Sequence, residues 1–143
     1  MSRSRALRAA SPYLLAGLLT FAGTLHFTSP RPYERIMPAV FPDDSHRPLV
    51  YASGAAELGC AALLAVRRTR RLGGWLTAAL LVAVFPANVK MALDGGIAGA
   101  GFPLGSPVVA WLRLPLQLPL IAWAVGIARG ARSDEDRVAS RRT

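Results

Sequence analysis

Residues 73–94 read GGWLTAALLVAVFPANVKMALD. An apolar run long enough to start across a bilayer meets a proline, an asparagine and a lysine before it closes on apolar residues again. A hydrocarbon core of about 30 Å takes about 20 residues of α-helix. On that measure this stretch is a spanning helix over residues 72–93, and residues 10–28, 49–66 and 107–128 read the same way. The reading is an all-α, four-transmembrane-helix bundle in a chain of 143 residues with 52% hydrophobic content. A basic leader before LLAGLLTFAG also fits a signal peptide. No A-x-A cleavage site comes after it, however, and the apolar run continues through His26 and Phe27, so the first span is expected to stay attached.

The charge is lopsided, with 17 Lys+Arg against 8 Asp+Glu. The basic residues crowd into the N-terminus (Arg3, Arg5, Arg8), one short link (Arg67, Arg68, Arg70, Arg71) and the tail (Arg129, Arg132, Arg137, Arg141, Arg142). Long apolar runs separate these groups. That alternation fits a polytopic membrane protein and not a basic groove, so nucleic acid is not an expected partner. The opposite side carries Arg31, Arg35 and Arg47, offset by Glu34, Asp43 and Asp44. The positive-inside rule then places both termini in the cytoplasm, with the protein multi-pass in the cell (cytoplasmic) membrane, a bacterial inner membrane. Residues 1–9 form a basic cytoplasmic start, residues 10–128 the spanning domain, and residues 129–143 a basic tail expected to be disordered. Trp75 and Trp123 fall near the cytoplasmic ends of their spans and Trp111 near an outer end, depths that suit an amphipathic ring.

The links differ in character. RRTRR is tight and makes spans two and three antiparallel neighbours. The first outer loop contains RPYERIMPAVFP, in which Tyr33, Ile36, Met37, Val40 and Phe41 recur at helical spacing. This suggests a short interfacial segment lying on the leaflet, kept short by Pro38 and Pro42. The second outer loop, DGGIAGAGFPLGSP, is glycine-rich and expected to be flexible.

Counting at about 1.5 Å per residue puts the polar side chains at one depth. His26 ends span one. Glu57 lies ~13 Å into span two, and Arg113 ~8 Å into span four with Gln117 one turn deeper. Asn88 and Lys90 occupy the outer third of span three. All fall in the outer half, while the inner halves are almost wholly Leu, Ala, Val and Ile. Charges at such depth are costly and mark functional sites by default. The expected arrangement is a Glu57–Arg113 pair ringed by Asn88, Gln117 and His26, supported by Ser53, Pro86 and Tyr33. The bland alternative is that these groups hold helices together. Pro86, Pro115 and Pro119 each remove a backbone donor inside a span. Ala52, Ala56 and Cys60 repeat every four residues as a small-residue packing seam. With one cysteine, His26 and His46, neither a disulfide nor a protein-only metal site is expected. No nucleophile–base pair stands out, so the catalytic residues are unassigned.

Three pieces carry a resemblance: SG-x-x-E (Ser53, Gly54, Glu57), FPAN (residues 85–88) and R-x-P-x-Q (Arg113, Pro115, Gln117). With them the chain resembles the DoxX-like family of small four-helix integral membrane proteins over nearly its whole length. The resemblance implies a quinone- or redox-linked accessory subunit, holding a quinone or other lipophile beside a membrane-protein partner or a second copy. The alternative it carries is a non-catalytic lipophile-binding or membrane-assembly module. A transporter ranks below both, because four spans make a narrow bundle.

Overall fold

The computed structural model describes residues 3–140, with side chains described for residues 9–131 and for Ser140. The described residues are all-α: α1 Arg3–Thr28, α2 Pro30–Arg35, α3 Asp43–Ala65, α4 Arg70–Ala83, α5 Phe85–Leu93 and α6 Pro107–Ser140. Among the described residues, three rods are long and apolar enough to cross a membrane: Asp43–Ala65, Arg70–Leu93 and Pro107–Ala131. Of their most apolar windows, only 28%, 22% and 17% is buried inside the protein. The remainder, including Leu72, Val82, Val108, Leu116 and Leu118, points outward. An apolar solvent matches such a surface better than water does, because apolar area left in water is unfavourable in proportion to its extent. α1 has the length, at 26 residues, but Ser11, Pro12, Thr20, Thr24 and His26 dilute its apolar run.

The helices pack in chain order, α1 on α3, α3 on α4, and α4 with α5 on α6. Tight links make neighbours antiparallel, and the link after α3 shows how. Its last carbonyls have no intrahelical donor. Thr69 Oγ1 donates to Leu63 O at 2.9 Å, and Arg70 donates through Nε to Leu64 O at 2.9 Å and through Nη2 to Ala65 O at 3.3 Å. Arg70 also lies 4.9 Å from the Tyr13 ring centroid, a cation–π contact that ties the link to α1. The arginine link therefore caps α3 as well as carrying charge.

Two apolar clusters result. One joins Leu15, Leu19, Cys60, Ala61, Leu64, Ala78, Ala124 and Ile127 towards the end where the termini lie. The other joins Ile36, Met91, Ala92, Ile97 and Ala110 at the opposite end. Along α6, Arg113 and Gln117 fall between Ala110 of the second cluster and Ala124 of the first.

Several expectations need correction. The third span is two helices, broken at Val84, because Pro86 has no N–H to continue the ladder. α6 by contrast runs unbroken through Pro115 and Pro119, both exposed. It also continues to Ser140, through most of the stretch expected to be a disordered tail, while residues 141–143 lie outside the described residues. The interfacial segment is divided: Ile36 is buried in the second cluster, whereas Val40 and Phe41 are exposed. Only α2 is helical there, since Pro38 and Pro42 interrupt the chain between it and α3.

The glycine-rich loop, expected to be flexible, is instead pinned by burial and backbone hydrogen bonds. Ile97 is buried, its N–H donates to Leu104 O at 2.9 Å, and Gly105 N donates to Gly101 O at 3.0 Å. Gly96, at φ 97°, takes a backbone conformation that few other residues adopt. The small-residue seam also fails as drawn, because Ala52 and Ala56 are exposed and only Cys60 is buried.

Candidate functional site

The site begins with two glycines. A Cβ on Gly54 would lie 2.6 Å from His26 Cβ, and one on Gly23 would lie 2.9 Å from Gly54 O and 3.1 Å from Glu57 Cβ. Only hydrogen at both positions lets α1 and α3 approach this closely. The contact brings His26 and Glu57 together, both buried, with Nδ1 and Oε2 3.7 Å apart. His26 Nδ1 is 2.9 Å from Ala22 O. A carbonyl can only accept, so Nδ1 carries the proton and Nε2 is the acceptor of the neutral ring. Tyr33 stacks on His26 at 3.9 Å between centroids and 25° between planes, drawing α2 over the pair. Burial pushes the Tyr33 phenol above its ordinary pKa, the Glu57 carboxylate pushes it further, and the Arg113 guanidinium pulls it down. Tyr33 thus lies within electrostatic reach of both charges.

The expected Glu57–Arg113 pair is not formed among the described residues. Arg113 Nη1 donates to Met91 Sδ at 3.6 Å, a weak acceptor. Glu57 Oε2 is buried with no hydrogen-bond partner. Opposite charge in the same half of the bundle was not enough, because α3 packs on α1 and α4 and not on α6.

The second tier is closed. Asn88 Nδ2 donates to Gln117 Oε1 at 2.8 Å, and Gln117 Nε2 donates to Leu81 O. That carbonyl belongs to the last turn of α4, where the break at Val84 leaves it without a helical donor. Pro86 thus acts through the break and is itself exposed; Ser53 is half-buried one turn before Glu57. Gly23, Met91 and the Leu81 carbonyl were not singled out from the sequence. Gly23, three residues before His26 in GTLH, was the available signal. Lys90 Nζ pairs with Asp94 at 2.5 Å and donates to Arg35 O at 3.2 Å, at the rim.

Gln117→Leu should unlatch α6 from the break and cost about 0.6–2 kcal/mol, the range for one interhelical polar contact in a membrane protein. Thermal unfolding in mild detergent measures it.

Residues 15–128, from α1 to α6, match the family model described as a domain of unknown function, DUF8561. The chain belongs to this family. The DUF8561 match spans both apolar clusters and all five polar residues of the layer. No curated protein and no solved structure matches the chain.

Proposed function

We propose that this DUF8561 chain is a four-span protein of the cytoplasmic membrane, with cytoplasmic termini. Its polar layer binds the headgroup of a quinone-type lipophile, and the chain acts as an accessory subunit to a redox partner. The observation that carries the ligand is the buried Glu57 Oε2 without a donor. A buried polar atom left unpaired costs about 1–3 kcal/mol, which a ligand hydroxyl would recover. A quinol offers that hydroxyl, and the oxidised headgroup offers carbonyls, which Arg113 would serve better than the Met91 sulfur it now meets. When bound, such a headgroup supplies two-electron, two-proton chemistry. Glu57 would accept its O–H, and Tyr33 would cover the His26–Glu57 pair. The DoxX-like motifs fall on this layer and support the reading. Its first test is extraction of protein purified in mild detergent, with the quinone fraction measured by mass spectrometry. Quinone at well below one per protein, and no thermal shift on adding a short-chain quinol, would refute it.

A non-catalytic role as a lipophile-binding or assembly module is the second reading. The Asn88–Gln117–Leu81 tier favours it, because its two hydrogen bonds join α5 to α6 and α6 to α4.

For the membrane crossing, α1 helps its own case. Thr20, Thr24 and Thr28 return their hydroxyls to Ala16 O, Thr20 O and Thr24 O at 2.8, 2.7 and 3.2 Å. That satisfies polar groups within the helix, as a lipid environment requires. The Trp123 Nε1–Ser11 Oγ bond of 2.6 Å seats the start of α1 against α6. Topology is open to labelling. In a Cys60→Ser background, Arg68→Cys should react with an impermeant maleimide only after cells are permeabilised, and Gly101→Cys in intact cells. The reverse pattern would invert the orientation.

A further inference from the structure

At the end opposite the termini, a cleft of about 500 Å³ opens between α1, α2, α3 and the loop before α6. Thr28, Ser29, Arg31, Arg35, Arg47 and Gly99 line it. Three guanidinium groups converge here from two helices, although this side of the chain carries few cations. Each is committed differently. Arg35 Nη1 donates to Ala98 O and holds the loop. Arg47 Nε donates to Glu34 Oε1 at 2.6 Å, so part of its charge is neutralised. Arg31 is exposed and makes no hydrogen bond or ion pair among the described residues. The Ser29 side chain makes no capping bond, leaving its hydroxyl available. Guanidinium donors close to the end of α1 and the start of α3 sit, in a membrane-inserted chain, at headgroup depth.

We propose that this cleft binds a phosphate-bearing group, with Arg31 as its principal donor, Ser29 and the remaining Arg47 donors completing the set, and an anionic phospholipid headgroup as the source at hand. Guanidinium presents a planar fork of N–H donors that matches phosphate oxygens two at a time. Arg47 also keeps the cleft formed by pairing with Glu34, and Arg35 does so through Ala98. That leaves Arg31 as the cation whose removal takes charge without taking structure. The proposal rests on membrane insertion as read above, but not on the quinone-type ligand.

The test compares purified wild type, Arg31→Gln and Arg31→Lys. Each is reconstituted into vesicles of phosphatidylcholine alone or with one-fifth phosphatidylglycerol. The lipids retained after mild-detergent extraction are then counted by native mass spectrometry. Wild type should retain phosphatidylglycerol over phosphatidylcholine. Arg31→Gln should lower that preference about fivefold, the scale of one basic residue at an anionic surface. Arg31→Lys should keep part of it. A parallel melt with millimolar inorganic phosphate separates the sources. Stabilisation that Arg31→Gln abolishes, without lipid preference, would support the phosphate site and assign it to a soluble anion. Equal preference in wild type and Arg31→Gln, or no response to either probe, would overturn the proposal. Unchanged quinol binding in Arg31→Gln would show that a failure here leaves the polar-layer reading standing.

Discussion

Glu57→Gln is expected to leave the protein folded while weakening a short-chain quinol by about 10- to 100-fold. The reasoning is local. Glu57 is buried, and its Oε2 accepts nothing, so that oxygen's acceptor capacity is unspent. Hydrogen bonds to a charged group contribute about 1.5–3 kcal/mol, and each 1.4 kcal/mol is a factor of ten in affinity. The amide keeps the shape and loses the charge. Stability should move little, because no Glu57–Arg113 ion pair exists to break and the His26 contact is 3.7 Å long. Glu57→Ala should show the same loss of binding with an added packing defect. Two measurements decide: a quinol titration monitored by intrinsic fluorescence, and a melt without ligand. If Glu57→Gln shifts only the melt, the polar layer is structural and the assembly-module reading takes its place.

The case of Glu57 shows where sequence reasoning stops. Helical periodicity and hydropathy are properties of one segment, so the apolar rods at residues 43–65, 70–93 and 107–131 could be read from composition. The depth of each polar residue also comes from counting along a helix. Which rods touch is a property of the assembly. Glu57 and Arg113 are complementary and within about one turn of each other in depth, yet α3 and α6 are not a packed pair. His26 became the neighbour because Gly23 and Gly54 let α1 and α3 close up, a fact written in two hydrogens and not in any charge. Likewise Pro86 marked a missing backbone donor inside the third span, but neither the break at Val84 nor its consequence was read from it. The Leu81 carbonyl finds its donor in Gln117, 36 residues away in sequence. The ordered glycine loop was hidden for a similar reason: glycine reports what a backbone is permitted to do, and the burial of Ile97 decides which conformation is used.

Large effects on helix packing should come from Gly54→Ala and Gly74→Ala, set against Gly17→Ala. A methyl on Gly74 would stand 2.8 Å from Ala124 O and Ala128 Cβ and 2.9 Å from Ala128 N. Most of that obstacle is backbone, so it cannot rotate aside and α4 must move off α6. At Gly54 the obstacle is His26 Cβ at 2.6 Å, with Phe27 Cε2 at 2.9 Å and Gly23 O at 3.0 Å. Overpacking of this kind costs about 1–3 kcal/mol per site. Gly17 has nothing within 4 Å, and alanine there should be neutral or stabilising by up to about 1 kcal/mol from helix propensity. Unfolding in mixed micelles on rising dodecyl sulfate should therefore place Gly17→Ala at or beyond wild type and both other variants well before it. The two destabilised variants should also differ from each other. Gly54→Ala pushes His26 away from Glu57 and should weaken quinol binding in the fraction that remains folded, whereas Gly74→Ala, at the other end of the rods, should not. Equal loss of binding in both would mean that ligand affinity tracks global stability, and that the α1–α3 crossing has no special part in forming the site.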